Sequence, residues 1–140
     1  MTENYKIIGN FIKDMSSETP DAQTFIFVKD KITKYKLNID ITSKAVKKDI
    51  VEVDIIIKFV DQPEILKKSH FEITYASIVK IDENVSDKKE MEKIILCDVP
   101  NKVYPDLERI FLNLLTDSGY PGIKFEKKVD FTELFKQKTN

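Results

Sequence analysis

The stretch Val51-Glu-Val-Asp-Ile-Ile-Ile-Lys-Phe59 decides the fold of this chain. Apolar side chains occupy every second position from 51 to 59, and charged side chains occupy three of the four positions between them. Because successive side chains of a β-strand point to opposite faces, this pattern predicts a strand with one buried face and one solvated face. Such a strand is stable only beside other strands and beneath a layer that covers its apolar face.

The same alternation appears on both sides of this stretch. Residues 35–41 and residues 69–80 place apolar and polar side chains in turn, with Ile78 as an exception. The connecting segments are short and polar, which favours antiparallel pairing between strands that are neighbours in sequence. Residues 5–12 are apolar on both faces and predict a fourth, more enclosed strand. The sequence therefore predicts a four-stranded antiparallel sheet.

After the third of these strands the apolar period changes to that of a helix. Asp87 and Glu90 have the spacing of a helix-starting cap, and apolar residues follow at helical spacing. A second helix is predicted from about residue 102 to 118 and a short third helix from Asp130. Strands followed by helices predict an α+β fold with the helices packed on one face of the sheet. The length of the chain predicts a single domain, residues 1–140.

The run Ile94-Ile-Leu-Cys97 lies in the first of these helices. Successive residues of a helix are rotated by about 100°, so these four apolar side chains point around the whole helix. A single sheet covers only one side of a helix, and we therefore expect further copies of the chain to cover the others. The cysteine of this run is interpreted as a core residue, because burial in apolar surroundings makes a thiol unreactive.

Composition excludes several classes of function. Three glycines leave no room for a glycine-rich phosphate loop, so no nucleotide cofactor is expected. The net charge of −1 and the single arginine argue against a nucleic-acid partner. One cysteine and one histidine predict neither an internal disulfide nor a zinc site, and they suit a reducing cytoplasm. No apolar run approaches the ~18 residues of a membrane span and no export signal opens the chain, so direct membrane insertion is not expected.

Few residues of the chain could carry catalysis. His70 lies on the polar face of its predicted strand beside Glu72, but no serine, second histidine or metal-ligand spacing accompanies it. The acidic residues between positions 14 and 21 alternate with serine and threonine, as in a solvated loop. No enzyme is therefore predicted, and a small hydrolase would require a second catalytic group to converge on His70. The surplus of apolar surface instead indicates a protein that binds or assembles with others.

The segment Phe11-Ile-Lys-Asp-Met-Ser-Ser-Glu-Thr-Pro-Asp-Ala22 resembles the N-terminal signature of the SecB family of protein-export chaperones. Further blocks occur in the family's order and at similar spacing, among them Val99-Pro-Asn101, Gly119-Tyr-Pro121 and Val129-Asp-Phe-Thr-Glu-Leu-Phe135. The resemblance covers nearly the whole chain. It implies an ATP-independent holdase with a four-stranded antiparallel sheet, assembled as a homotetramer that is a dimer of dimers.

The resemblance also implies two kinds of partner. SecB-type chaperones bind unfolded precursor proteins in apolar grooves and pass them to SecA, the motor of protein export. The family binds the basic, zinc-carrying tail of SecA through acidic residues that match Asp14, Glu18 and Glu72 of this chain. By the alternation of its strand, Glu72 falls on the polar face, where a partner could reach it.

Two further sets of residues follow as expectations. Five side chains that come after the signature or along the second helix are expected to line the client groove: Phe25, Phe27, Tyr104, Leu107 and Phe111. The resemblance and the apolar helix together predict an oligomer interface formed by Phe71, Ile73, Tyr75, Ile94, Ile95, Leu96 and Cys97. Client binding and assembly would thus use different apolar surfaces.

The chain departs from the family pattern at several positions. His70 stands where the family usually has an aliphatic residue, and Asp106 and Glu108 replace an aromatic residue and an arginine. These differences leave an alternative open: a dedicated SecB-like chaperone that holds a single client, such as an antitoxin, without an export role. The acidic residues of the SecA-binding set favour the export chaperone, because a dedicated chaperone would not need them.

Overall fold

The computed structural model describes residues 4–61, 68–125 and 129–139. Within these ranges the chain forms, in order, β1 (Tyr5–Glu18), α1 (Ala22–Lys29), a 3₁₀ turn (Ile32–Lys34), β2 (Lys36–Lys47), β3 (Ile50–Val60), β4 (His70–Ile81), α2 (Lys88–Lys93), a π-helical segment (Ile94–Asp98), α3 (Val99–Asp117) and α4 (Phe131–Thr139). In the part of the chain that the structure describes, no helix is both long and apolar enough to pass through a membrane.

The four strands form one antiparallel sheet in the order β1-β4-β3-β2. A tight hairpin joins β2 to β3, and its Asp49 has a φ of 63°, in the left-handed region that aspartate tolerates better than most residues. β4 lies inside the sheet, where Ile73 faces Ile57 of β3 and Met15 of β1. β1 and β2 are therefore its edges, and the predicted four-stranded antiparallel sheet is confirmed.

The core lies between one face of the sheet and α3. Val53, Ile55 and Ile57 of β3 are fully buried, as are Leu107 and Phe111 of α3. The alternation along β3 is thus an alternation between side chains that enter the core and side chains that point away from it. The predicted α+β fold with helices on one face of the sheet is confirmed. The sheet face beneath α3 is called the helix face here, and the opposite one the outer face.

The N-terminal third differs from the prediction in two ways. β1 continues into the signature as far as Glu18, so Asp14 and Glu18, which were expected in a loop, lie on a strand. A short helix, α1, follows, and Asp21 caps it by accepting a 2.7 Å hydrogen bond from the backbone N–H of Thr24. Apolar residues occupy four consecutive positions of α1, so no helical period marks it in the sequence.

The two helices predicted from residue 87 onward are joined in the structure. α2, the π-helical segment and α3 form one continuous helical run from Lys88 to Asp117. Two prolines lie within this run without ending it, Pro100 in the first turn of α3 and Pro105 in its interior. The π-helical turn is wider than an α-helical one and coincides with the run that is apolar on all sides.

Candidate binding surfaces

The three predicted SecA-binding residues lie together on the outer face. Asp14 and Glu18 are on β1 and Glu72 is on β4, and the pairing of these strands points all three side chains away from α3. Lys58 of β3 faces Glu72, with 3.4 Å between its Nζ and Glu72 Oε1. An exposed ion pair of this kind contributes little energy, so the carboxylate stays open to a partner. These three residues are called the acidic patch below.

Lys13 forms a network with two carboxylates beside the acidic patch. Its Nζ lies 2.6 Å from Glu52 Oε2 and 3.1 Å from Asp54 Oδ2. Glu52 and Asp54 belong to β3 and are only 8% and 9% exposed. Asp54 Oδ1 has no hydrogen-bond partner among the described residues. The ammonium of Lys13 is therefore the main compensation for negative charge at this point of the outer face.

The network shifts the pKa values of its members in a consistent way. Hydrogen bonds to Glu52 and Asp54 raise the pKa of Lys13 above its usual range. The hydrogen bond from Lys13 lowers the pKa of Glu52, whereas burial raises the pKa of Asp54. Lys13 and Glu52 are thus charged at neutral pH.

A large apolar groove runs along the helix face of edge strand β2. Its volume is about 870 Å³, and it is lined by Ile32, Thr33, Tyr35, Leu37, Ile39, Phe59, Gly122, Ile123, Lys124, Phe125 and Val129. Three of these rings pack together, with centroids 5.4 Å apart for Tyr35 and Phe59 and 5.7 Å apart for Phe59 and Phe125. One wall of this larger groove is therefore aromatic.

A second groove continues along the same strand. Its volume is about 350 Å³, and it is lined by Ile39, Asp40, Ile41, Leu96, Phe131, Leu134 and Phe135. Ile39 belongs to both grooves. Because β2 is an edge, the backbone groups that point away from β3 are not used within the sheet. An extended chain lying in the two grooves would meet apolar pockets and unpaired backbone together.

A cluster of hydroxyl groups holds Tyr35 in the wall of the larger groove. Tyr35 Oη accepts a 3.0 Å hydrogen bond from the backbone N–H of Ser69. The Ser69 side chain lies 2.9 Å from Tyr120 Oη and 2.7 Å from Thr19 Oγ1. Burial raises the pKa of Tyr35, so the phenol is neutral at physiological pH. These hydrogen bonds therefore hold the Tyr35 ring in place in the wall of the larger groove.

The whole chain, residues 1–140, matches the family model described as preprotein translocase subunit SecB. The chain belongs to the SecB family. It is 84% identical over 140 residues to a SecB protein of Pelagibacter ubique, and the match covers 100% of both chains. It is 28% identical over 136 residues to the protein-export protein SecB of Dinoroseobacter shibae, covering 94% of this chain and 76% of that one. SecB proteins are chaperones of protein export and not enzymes.

A solved SecB-like structure has the same fold. The SecB-like chaperone of Mycobacterium tuberculosis, in complex with a peptide from an antitoxin, matches with a TM-score of 0.66. The match covers 90% of this chain and 88% of that chain at 13% identity. At this identity the likeness concerns the fold alone, and it confirms the SecB-like architecture.

The residues that we predicted for the SecB client groove occupy two different environments. Phe25 and Phe27 are half-buried, with Phe25 packed 5.3 Å from the ring of Tyr120. Tyr104, Leu107 and Phe111 are buried inside the chain and line neither groove. The physical reason is that this side of α3 lies directly on the sheet, which leaves no space for a client. In the single chain these three are core residues.

None of the five residues predicted for the client groove lines either of the two grooves. The signal for the residues that do line them was present but indirect: β2 alternates like a core strand, yet it lies at an edge, where its apolar side chains are only half-covered. The groove also takes Ile123 and Phe125 from a segment with no regular period. Only the folded chain brings these parts together.

The predicted SecB interface residues also divide into two groups. Phe71, Ile73, Tyr75, Ile94 and Cys97 are buried within the single chain. Ile95 and Leu96 are half-buried, and Leu96 lines the smaller groove. Phe71, Ile73 and Tyr75 are covered because β4 is an inner strand beneath α3. Ile94 and Cys97 lie in the π-helical segment, which packs against α4. Ile95 and Leu96 are the members of the set that keep surface for a second copy.

Tyr104→Phe is expected to stabilise the chain by about 1 kcal/mol at neutral pH, because the buried Tyr104 hydroxyl has no hydrogen-bond partner among the described residues. Burial raises the pKa of Tyr104 from 10.0 to about 12. The folded state therefore keeps this proton longer than the unfolded state, and stability is lost as the pH rises from 10 towards 12. Urea unfolding at neutral and alkaline pH should show a smaller alkaline loss in the variant. An equal loss would contradict this assignment.

Proposed function

We propose that this SecB protein is an ATP-independent holdase of the cytoplasm. It binds unfolded precursor proteins in the larger and smaller grooves and delivers them to SecA through the acidic patch. One observation carries the proposal: the grooves lie on the helix face at edge strand β2, whereas the acidic patch lies on the outer face at β1 and β4. A client and the motor can therefore occupy the chaperone at the same time.

The chemistry of the grooves supports binding of many unfolded sequences. Their walls are mainly aliphatic and aromatic, and apolar side chains are what unfolded proteins have in common. The free edge of β2 adds backbone groups, which do not depend on client sequence. Several such grooves on one assembly would hold a long client at many weak points, so that effective concentration replaces individual affinity.

Exposed apolar residues support assembly into a homotetramer, a dimer of dimers. Ile12 and Met15 lie on the helix face of β1 and are 43% and 44% exposed. Ile95, in the π-helical segment, is half-buried and lines neither groove. These two surfaces are separate, as a dimer of dimers requires.

Reversing two charges of the acidic patch, Asp14→Lys with Glu72→Lys, is expected to weaken binding to a peptide of the basic SecA tail about tenfold or more. Folding should be nearly intact, because both side chains lie on the outer face. Titration calorimetry measures the affinity, and wild-type affinity should fall as salt rises. Suppression of client aggregation should not change, since the grooves are elsewhere.

The matched control is Glu83→Lys with Asp106→Lys. It makes the same change in net charge at exposed positions, in the turn after β4 and on α3. This control should bind the tail like the wild type, and light scattering of all three proteins checks the proposed tetramer. If the patch variant and added salt both leave tail affinity unchanged, the acids are a solvated surface, and a chaperone dedicated to a single client becomes the better reading.

A further inference from the structure

We propose that Lys13 is a positioning residue for the acidic patch. Its ammonium, held by Glu52 and Asp54 two strands away, fixes the bulge of β1 that presents Asp14 to SecA. The proposal rests on the proposed function, because it concerns the same docking surface. It assigns a positive residue a supporting role in binding a positive partner.

β1 has a bulge at Lys13. Ile12 faces Tyr75 and Asp14 faces Thr74, so Lys13 is an extra residue with no partner opposite it on β4. A bulge interrupts the hydrogen-bond ladder locally. β1 is also an edge strand, and no further strand of the described chain supports it from the other side. Within one chain, side-chain contacts to neighbouring strands therefore help to hold this part of β1 in place.

Lys13 supplies such a contact across the full width of β4. To reach β3, its side chain crosses β4 beside Ala76, which faces Phe11 of β1 and Asp54 of β3. Ala76 is fully buried although it points to the outer face. A small residue at this position leaves room for the lysine stem, which covers it in return.

The charges at the end of this contact make it hard to replace. Glu52 and Asp54 are almost buried, and Lys13 is the closest cation to both, while Lys44 lies 3.9 Å from Glu52. Without Lys13, the two carboxylates would face one another with little compensation. Relief then requires protonation of one carboxylate or a shift of β1 that lets water in. In both cases the link between β1 and β3 is lost, which releases the bulge and the adjacent Asp14.

Positioning and simple electrostatics predict opposite signs. Lys13→Met removes a positive charge next to the acidic patch, so attraction alone would strengthen binding of the basic SecA tail peptide. If Lys13 positions Asp14, the same variant weakens binding about fivefold or more, because the acids no longer match the tail. Lys13→Arg, which keeps the charge and the reach, should restore binding to near the wild-type value.

The matched control is Lys44→Met. Lys44 is 62% exposed in its side chain and pairs more distantly with the same Glu52, so its removal changes the charge without touching the bulge. Tail affinity of this control should equal or exceed that of the wild type. Lys13→Gln, which keeps a hydrogen-bond donor without the charge, should bind with intermediate affinity, and it keeps the test decisive should Lys13→Met not fold.

Amide hydrogen exchange gives a readout that does not depend on SecA. Protection of the Asp14 and Met15 amides should fall in Lys13→Met and stay at the wild-type level in Lys44→Met. Unchanged tail affinity, or tighter binding, in both Lys13→Met and Lys13→Gln would overturn the positioning role and leave the proposed function standing. A wild-type protein that does not bind the tail would overturn the docking function itself, and with it the role of Lys13 in docking.

Discussion

Phe71→Ala is expected to lower the free energy of unfolding by about 3–5 kcal/mol, a large part of the roughly 5–15 kcal/mol that stabilises a domain. Phe71 is fully buried at the centre of an aromatic cluster. Its ring centroid lies 5.5 Å from that of Tyr120 and 6.3 Å from those of Tyr35 and Phe59. The alanine variant leaves a cavity that these rings cannot fill. Urea unfolding followed by circular dichroism measures the loss.

Phe11→Ala is the matched control for this substitution. Phe11 is on the strand that pairs with Phe71's strand, but it points to the outer face and is 45% exposed. Its truncation should cost less than about 1 kcal/mol. Repeating the measurement at several protein concentrations is a second check. If Phe71 lay in an oligomer interface, the stability lost in its alanine variant would become smaller as the concentration rises, whereas the loss at a core residue would stay the same. Equal losses at the two phenylalanines would show that the core assignment is wrong.

Ile123→Asp is expected to reduce affinity for an unfolded client about tenfold or more. Ile123 is half-buried in the wall of the larger groove. An apolar client segment that enters the groove would have to displace water from the new carboxylate without giving it a partner. Fluorescence anisotropy of a labelled, permanently unfolded client measures the affinity. The fold should persist, because the wild-type side chain is not part of the buried core.

Ile26→Asp is the corresponding control. Ile26 is 66% exposed on α1 and lines neither groove, so the same change of chemistry should leave client affinity within about twofold of the wild type. A folded form of the client should bind to none of the variants, since its apolar residues are buried. Unchanged affinity in Ile123→Asp would move the client site away from the larger groove.

The sheet was predictable because its signal is local. Residues 51–59 alternate except at Ile56, and each strand can be recognised from its own side chains. The order of the strands was not predictable in the same way, because the pairing of β1 with β4 depends on contacts between distant segments. For the same reason the burial of Tyr75 within one chain could not be distinguished from burial between copies, nor the burial of Phe111 from a position in a client groove. A hydropathy period indicates that a side chain is buried, but not whether the same chain or another copy buries it.

The binding surfaces were predictable only in part. Asp14, Glu18 and Glu72 were found through a motif, and the strand pairing places them on one face. Glu52 and Asp54 were interpreted as solvated positions of a polar face, yet they are almost buried. Alternation cannot distinguish an exposed carboxylate from one that a lysine covers from two strands away. That distinction depends on the bulge in β1, and a bulge leaves no mark on the hydropathy pattern.

The position of β4 inside the sheet affects the order in which the molecule can form. During synthesis β1 emerges first, but Tyr5 pairs with Ile81 and Glu18 pairs with His70, so β1 has no partner until β4 has left the ribosome. The β2–β3 hairpin, whose strands are adjacent in sequence, can close earlier. The signature segment therefore joins the sheet late, as its outermost strand. A nascent or truncated chain that lacks β4 has no assembled acidic patch, so the docking that we propose requires a completed sheet.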